Sequence, residues 1–285
     1  MAGAGLGSAG VLFVGIRLYQ YSGQLDIHKF GIVSWIAIFS LSLIYSAFNF
    51  LLAISWWNIL LLLHDRIHKT WAITTYGISQ LAKYIPGNIF QFAGRQAMGL
   101  AVDLPGKTLA KSIFWEIAFI SMAGSLYICL ALPLVWTQLS IFLSLLLFFS
   151  VITAIVLFLN RWLGSHAVRA FVSHLVFLGL SGFVFVCTLY VVGGNENLKF
   201  ESILIYSAAY VVSWLIGLVT PGAPAGLGVR EFMLLFLLGN EITETTLLMG
   251  LLLNRFITVA GDGWFFIWAS VMVYKKNSCK LRKII

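Results

Sequence analysis

Residues 30–63, FGIVSWIAIFSLSLIYSAFNFLLAISWWNILLLL, contain no Asp, Glu, Lys, Arg or His. A helix needs about 20 mainly apolar residues to cross the hydrocarbon core of a bilayer, so this stretch is long enough to span it. Residues 117–160 and 202–229 are equally free of these five residue types. Because a helix satisfies its own backbone hydrogen bonds inside a bilayer, these runs predict an all-α, polytopic membrane helix bundle.

The composition agrees with this fold class. The chain of 285 residues is 60% hydrophobic and only 10% charged, whereas soluble domains carry about 25% charged residues. We therefore expect one integral membrane domain, residues 1–285, and no soluble domain. The net charge of +8 comes from basic residues in short loops and the C-terminal tail, which is typical of cytoplasmic loops and not of a nucleic-acid-binding protein. The three cysteines have no metal-ligand spacing, and no metal or cofactor is expected.

Apolar segments predict helices at 4–19, 31–62, 108–132, 139–160, 171–193, 201–219 and 246–274, with irregular regions at 71–100 and 220–240. The Gly261-Asp262-Gly263 run leaves open whether the last helix is one piece or two. Basic residues predict that the loops at 64–69 and 161–169 and the C-terminal tail face the cytoplasm. If the chain starts in the cytoplasm and all seven helices cross the membrane, the tail lies outside, which contradicts its basic residues. A crossing by residues 220–240 as a broken helix removes this conflict. We therefore expect seven or eight crossings of the cell (cytoplasmic or inner) membrane.

Two Pro-Gly pairs are each followed by an arginine. The first element runs from Ile85-Pro86-Gly87-Asn88 to Gly94-Arg95, and the second runs from Thr220-Pro221-Gly222 through Gly226-Leu227-Gly228 to Val229-Arg230-Glu231. Pro and Gly interrupt a membrane helix, and the freed helix end together with a buried cation favours an anion site. We therefore expect two re-entrant segments. Their spacing is compatible with pseudo-repeats over residues 1–135 and 136–285.

These two elements supply the candidate substrate-binding residues. Residues 76–84 have the pattern of an interfacial amphipathic helix, and Gln91 and Arg95 share one face of the helix that Asn88 can cap. Arg95 either holds a phosphate there or extends from a connecting loop to the interface. Arg230 either faces substrate or pairs with a carboxylate that locks the hairpin. The full candidate set is Lys83, Pro86, Gly87, Asn88, Gln91 and Arg95 from the first element, and Pro221, Gly222, Gly226, Gly228, Arg230 and Glu231 from the second.

Three further charges lie within apolar segments: Glu116, Arg255 and Asp262. Isolated charges in a bilayer are costly, so these residues are candidate counter-charges to the two arginines or parts of an ion path; structural pairing is the alternative. Asn254 is expected to hydrogen-bond another helix.

The same residues carry a family resemblance. The segments Lys83-Tyr84-Ile85-Pro86-Gly87 with Gly94-Arg95, and Pro221-Gly222 with Gly226-Leu227-Gly228-Val229-Arg230-Glu231, resemble signatures of the flippase-like membrane region of lysylphosphatidylglycerol synthases. Trp57-Asn58-Ile59-Leu60 and Asn254-Arg255 are similar to further family patterns. Glu116 departs from the family's Glu-Arg pair, because Ile117 follows it. The family also includes free-standing proteins of similar size, some associated with glycosyltransferases.

The resemblance implies translocation of a phospholipid or of polyprenyl-phosphate-linked cargo across the membrane. In the synthases this region is thought to move an aminoacylated phospholipid that a separate soluble domain makes, and we expect no such domain here. We expect Arg95 and Arg230 to hold the anionic headgroup, and Glu116, Glu231 and Asp262 to balance those charges or to contact a cationic headgroup. The alternative is an embedded accessory subunit or enzyme that handles polyprenyl-linked sugar with a glycosyltransferase or synthase partner.

Overall fold

The computed structural model of the protein describes residues 31–63, 67–84, 90–193, 199–220 and 228–281. Within these ranges the chain forms α1 (Ile32–Leu62), α2 (Lys69–Gln80), a 3-10 helix (Leu81–Tyr84), α3 (Phe90–Leu100), α4 (Gly106–Leu126), α5 (Ile128–Val135), α6 (Ile141–Trp162), α7 (Ser165–Val191), α8 (Phe200–Val219), α9 (Val229–Leu238) and α10 (Glu244–Leu281). Six of the described segments are long and apolar enough to cross a membrane: Ile32–Leu62, Gly106–Val135, Ile141–Trp162, Ser165–Val191, Phe200–Val219 and Glu244–Lys275. The protein is a helical, multi-pass membrane protein.

The long apolar helices are therefore confirmed, with ends that differ from the predicted ones by a few residues. The prediction at 108–132 corresponds to two consecutive helices, α4 and α5, which meet at Tyr127. The predicted helix at 4–19 lies outside the described residues. Helix α1 packs along α7 and α10 at the centre of the bundle. Helix α6 lies at the periphery and exposes Phe142, Phe149 and Phe158, as expected for a surface that faces lipid.

The last helix is one continuous piece, so the alternative of two shorter helices is wrong. Glycine costs up to about 1 kcal/mol in a helix interior, which is why the Gly261-Asp262-Gly263 run seemed a possible break. A side chain at Gly261, however, would lie 2.8 Å from the Ser42 carbonyl oxygen and 2.7 Å from the Tyr45 ring. The glycine thus allows α10 to approach α1 closely, and this packing stabilises the helix across the run.

We expect Gly261→Ala to lower the stability of the protein by about 1–3 kcal/mol, because the added methyl group forces α1 and α10 apart. Gly263→Ala is the matched control, since a Cβ there would meet no described atom within 4 Å. Thermal unfolding of both variants in detergent tests this expectation. Equal melting temperatures would show that the contact at Gly261 does not limit helix approach.

The expectation of an irregular region over 71–100 is wrong for most of its length, whereas the expectation that 76–84 lies at the membrane interface stays a prediction. Residues 69–80 form α2, and residues 90–100 form α3. Helix α2 is buried: a Cβ at Gly77 would lie 2.6 Å from Cβ of Ala269 on α10. Its polar Gln80 is buried because an internal carboxylate, Asp262, accepts its hydrogen bond. The polar end of α2 is therefore satisfied by a protein group.

Candidate functional site

Arg95, on α3, is buried and ion-paired. Its Nη1 lies 2.7 Å and 3.0 Å from the two carboxylate oxygens of Glu116 on α4, and Tyr76 donates a hydrogen bond of 3.1 Å to the same carboxylate. The rings of Tyr76, Phe92 and Trp56 surround the guanidinium group, with centroids 4.4, 5.1 and 5.4 Å from its central carbon. Arg95 therefore does not extend to the interface from a loop, and that alternative is wrong. Its charge is compensated within the helix bundle.

Arg230, at the matching position of the second element, has different surroundings. It lies in the first turn of α9, is only 5% exposed, and its guanidinium carbon is 4.3 Å from the ring centroid of Tyr210 on α8. Among the described residues, no carboxylate lies within ion-pair distance of Arg230, and its Nε has no hydrogen-bond partner. The alternative in which a carboxylate pairs with Arg230 is therefore not found in this part of the chain. Arg230 is thus a buried cation whose charge no described carboxylate compensates directly.

Glu231 follows Arg230 but has a structural role. Its Oε2 accepts a hydrogen bond of 2.6 Å from the backbone N–H of Gly228, so it caps the start of α9. Gly228 has φ of 84°, a left-handed conformation that glycine adopts readily. The other oxygen, Oε1, lies 3.7 Å from Arg255 on α10. The carboxylate of Glu231 is thus already used by its own helix end and by Arg255.

Asp262, in the middle of α10, accepts hydrogen bonds from several segments. It is completely buried; its Oδ1 accepts from Asn49 at 2.9 Å and from Gln80 at 3.3 Å. Its Oδ2 lies 2.6 Å from Nζ of Lys83 and also accepts from the Tyr84 hydroxyl. Burial and the nearby Asp262 carboxylate both raise the pKa of Tyr84, so this hydroxyl remains a donor. Asp262 thereby fixes the end of the α2 segment against α1 and α10.

One cavity lies between these groups. It has a volume of about 120 Å³, roughly ten times what one water molecule requires. Five of the predicted residues line it: Lys83, Gln91, Glu116, Arg230 and Arg255. Lys83 and Gln91 come from the first Pro-Gly element and Arg230 from the second, so the two elements meet at this cavity.

The remaining predicted residues divide into two groups. Arg95, Gly228, Glu231 and Asp262 do not line the cavity but support residues that do. Pro86, Gly87, Asn88, Pro221, Gly222 and Gly226 lie outside the described residues, so the expected roles of the Pro-Gly pairs stay predictions.

The charges around the cavity do not balance. We call Lys83, Arg95, Arg230, Arg255, Glu116, Glu231 and Asp262 the charge cluster. It contains four cations and three carboxylates, which leaves one formal positive charge. Each carboxylate lies within ion-pair distance of a cation other than Arg230. The excess charge is therefore located at Arg230, where burial makes an anionic partner favourable.

Several residues of the site were not predicted. Tyr210 packs under Arg230, and Ser181 and Gln80 line the cavity. Ser181 and Tyr210 belong to apolar helices, and a single small polar residue or tyrosine in such a run is common in any membrane helix. The predicted hydrogen bond of Asn254 to another helix is confirmed, since its Nδ2 donates to the Tyr210 hydroxyl at 3.1 Å.

Within the described ranges, no three His, Cys, Asp or Glu side chains cluster as metal ligands would. No protein-family model matches the chain, and a search of curated proteins finds no match to its sequence.

Proposed function

We propose that the protein is a flippase-type lipid transporter that moves a phospholipid or a polyprenyl-phosphate-linked cargo across the cytoplasmic membrane. The observation that carries this proposal is Arg230, a buried cation without a described carboxylate partner that lines a cavity within a membrane helix bundle. A buried guanidinium binds a phosphate strongly, because it donates several hydrogen bonds in a planar arrangement. The lipid's tails can stay in the bilayer while only its headgroup passes through the polar cavity.

The two arginines have different roles in this proposal. Arg230 holds the headgroup phosphate, assisted by Arg255 and Lys83 in the same cavity. Arg95 fixes α3 against α4 through Glu116 and so supports the wall of the cavity without contacting the lipid. The resemblance to the flippase-like membrane region of lysylphosphatidylglycerol synthases agrees with lipid transport, and so does a site built from two possible pseudo-repeats, residues 1–135 and 136–285.

A topology with re-entrant segments belongs to the same proposal. Helices α1 and α10 run in parallel, because Gly261 contacts Ser42, and Trp268 further along contacts Phe50. Gly250, near the start of α10, packs against Leu189 near the end of α7. Because α7 starts at the 161–169 loop, which is predicted to face the cytoplasm, the loop that follows α7 faces outside in this topology. Helix α8 starts beside that loop and runs away from it, which supports a return of residues 220–240 across the bilayer as a broken helix.

The first Pro-Gly element, in contrast, enters and leaves on one side. Lys69 follows the basic loop after α1, and the end of α2 reaches Asp262 in the middle of α10. Helix α3 then returns to the start of α4, since a Cβ at Gly99 would lie 2.5 Å from the Leu109 side chain. This arrangement supports a re-entrant hairpin at 69–100, seven or eight crossings in total, and a cytoplasmic C-terminus.

Cysteine labelling tests the topology. In a variant whose three cysteines are replaced by serine, we expect a cysteine at the exposed Asn240 to react with a membrane-impermeant reagent from outside the cell. A cysteine introduced at Lys276 in the tail is expected to react only after the membrane is opened. Labelling of position 240 only after the membrane is opened, or of position 276 from outside, would contradict a crossing by residues 220–240.

Transport itself is tested in liposomes that contain the purified protein and fluorescent phospholipids or polyprenyl-phosphate lipids. We expect anionic lipids to move between leaflets faster than in liposomes without protein. If no anionic lipid moves, the transporter proposal is wrong. The second candidate function is an embedded enzyme or accessory subunit for polyprenyl-linked sugar transfer. Formation of a product from a sugar donor without any partner enzyme would favour the enzyme. Product formation only after a glycosyltransferase is added would favour the accessory subunit.

A further inference from the structure

We infer that the cavity selects a lipid headgroup with a single negative charge whose remaining polar part is uncharged and carries hydroxyl groups, as in phosphodiester-linked glycerol or sugar. This inference rests on the proposed function only in assuming that the cavity receives a lipid headgroup. It goes further, because it excludes phosphate monoesters, diphosphates and amine-bearing headgroups as preferred ligands.

The first step is the charge of the site. The charge cluster carries one formal positive charge, located at Arg230. The chain segments 85–89 and 221–227, which adjoin the described residues of the two elements in sequence, contain no Asp, Glu, Lys, Arg or His and so add no charge to this balance. One buried positive charge matches one negative charge on the ligand.

The second step is the cost of an imbalance inside a membrane. A headgroup with one negative charge brings the cluster to neutrality when it binds. A phosphate monoester with two charges would leave a net negative charge in the helix bundle, and a net-neutral headgroup would leave Arg230 uncompensated. Because desolvating an unbalanced charge is unfavourable, both are expected to bind more weakly.

The third step concerns the rest of the headgroup. An ammonium group needs a carboxylate, but Glu116 is held by Arg95, Asp262 by Lys83, and Glu231 by the Gly228 N–H and Arg255. By contrast, Ser181 lines the cavity, is only 4% exposed, and its Oγ has no hydrogen-bond partner within the described part of the chain. A hydroxyl group of glycerol or sugar can exchange hydrogen bonds with this oxygen, whereas an ammonium group gains little from it.

The test is a comparison of lipid binding to the full chain in detergent by native mass spectrometry. At pH 8 a phosphate monoester carries about two charges. With matched acyl chains, we expect phosphatidylglycerol to bind about tenfold more tightly than phosphatidic acid, phosphatidylserine or phosphatidylethanolamine. A second pair, a polyprenyl phosphosugar and the bare polyprenyl phosphate, is expected to follow the same order. Whichever of these two lipids, phosphatidylglycerol or the polyprenyl phosphosugar, binds more tightly identifies the lipid class that supplies the headgroup.

A charge variant makes the test sharper. Glu231→Gln keeps an oxygen that can accept from Gly228 N–H but adds one net positive charge to the cluster, so we expect the preference to shift to phosphatidic acid. Glu241→Gln is the matched control, because Glu241 is exposed, and it is expected to leave the order unchanged. If Glu231→Gln does not fold, the order measured for the wild-type protein decides alone.

The outcomes separate this inference from the proposed function. Tightest binding of phosphatidic acid to the wild-type protein would overturn the single-charge selection and leave lipid transport standing. Equal binding of phosphatidylserine and phosphatidylglycerol would overturn the exclusion of amines. Selective binding of phosphatidylglycerol without any transport would keep the inference and overturn the transporter. Absence of binding by every anionic lipid would overturn both.

Discussion

Replacing Arg230 by glutamine is expected to abolish lipid movement in liposomes without lowering the stability of the protein. Arg230 is buried without a described carboxylate partner, so the folded protein bears the cost of desolvating its charge. Removing that charge relieves this cost but also removes the group that binds phosphate. Truncating one partner of a buried charge pair costs about 2 kcal/mol or more, so we expect lipid affinity to fall by roughly thirtyfold or more.

Two measurements on the same variants check this expectation. Transport is followed in proteoliposomes, and the melting temperature is measured in detergent. Arg161→Gln is the matched control, because Arg161 lies exposed at the end of α6. Arg230→Lys is expected to keep part of the activity, since it retains the charge and loses the planar donor geometry. Unchanged transport in Arg230→Gln, or a large loss of stability, would contradict a binding role.

The corresponding change at Arg95 is expected to have the opposite effect on stability. Arg95→Gln leaves Glu116 buried without its cation, and breaking a buried pair in this way costs about 3–5 kcal/mol. Glu116→Gln leaves Arg95 unpaired and is expected to cost a similar amount. The double variant removes both charges, and its glutamine at position 116 can still accept from Tyr76, so we expect most of the lost stability to return.

A double-mutant cycle measures this coupling through the free energies of unfolding of the four proteins. Lys111→Gln, which removes an exposed charge from the same helix as Glu116, is the control and is expected to have little effect. Additive losses in the double variant would mean that Arg95 and Glu116 do not stabilise each other. Arg95 would then regain its place as a candidate for lipid binding.

The sequence was sufficient to predict the membrane-spanning helices, because a run of about 20 residues without charge has few alternatives to a transmembrane helix. It also identified Arg95 and Arg230 as unusual cations. It did not predict which carboxylate pairs with which cation, because Glu116 and Asp262 lie on different helices whose rotation and approach depend on packing. The two arginines have similar local sequences, and only the contacts between helices distinguish the paired one from the unpaired one.

The polar side chains at residues 76–84 show a similar dependence on packing. An amphipathic pattern indicates that one face of a helix needs polar partners, but it does not state whether those partners are water or protein. In α2 the partner of Gln80 is Asp262, which is remote in sequence and is reached only because Gly77 permits close approach to α10. A polar face that is satisfied internally has the same sequence pattern as one that lies at the membrane surface.

The Asp262 carboxylate is the shared acceptor for four donors from three parts of the chain: Asn49 on α1, Gln80 on α2, and Lys83 and Tyr84 on the 3-10 helix. Such a network tolerates the loss of a neutral donor such as Asn49 or Gln80, because the remaining donors still satisfy the carboxylate, whereas the loss of Lys83 would leave it without its cation. It is fragile at its centre, where the loss of the single acceptor would leave buried donors without partners at once. Substitution at Asn49 or Gln80 is therefore expected to cost less stability than substitution at Asp262, which makes one residue the common constraint on three segments of the fold.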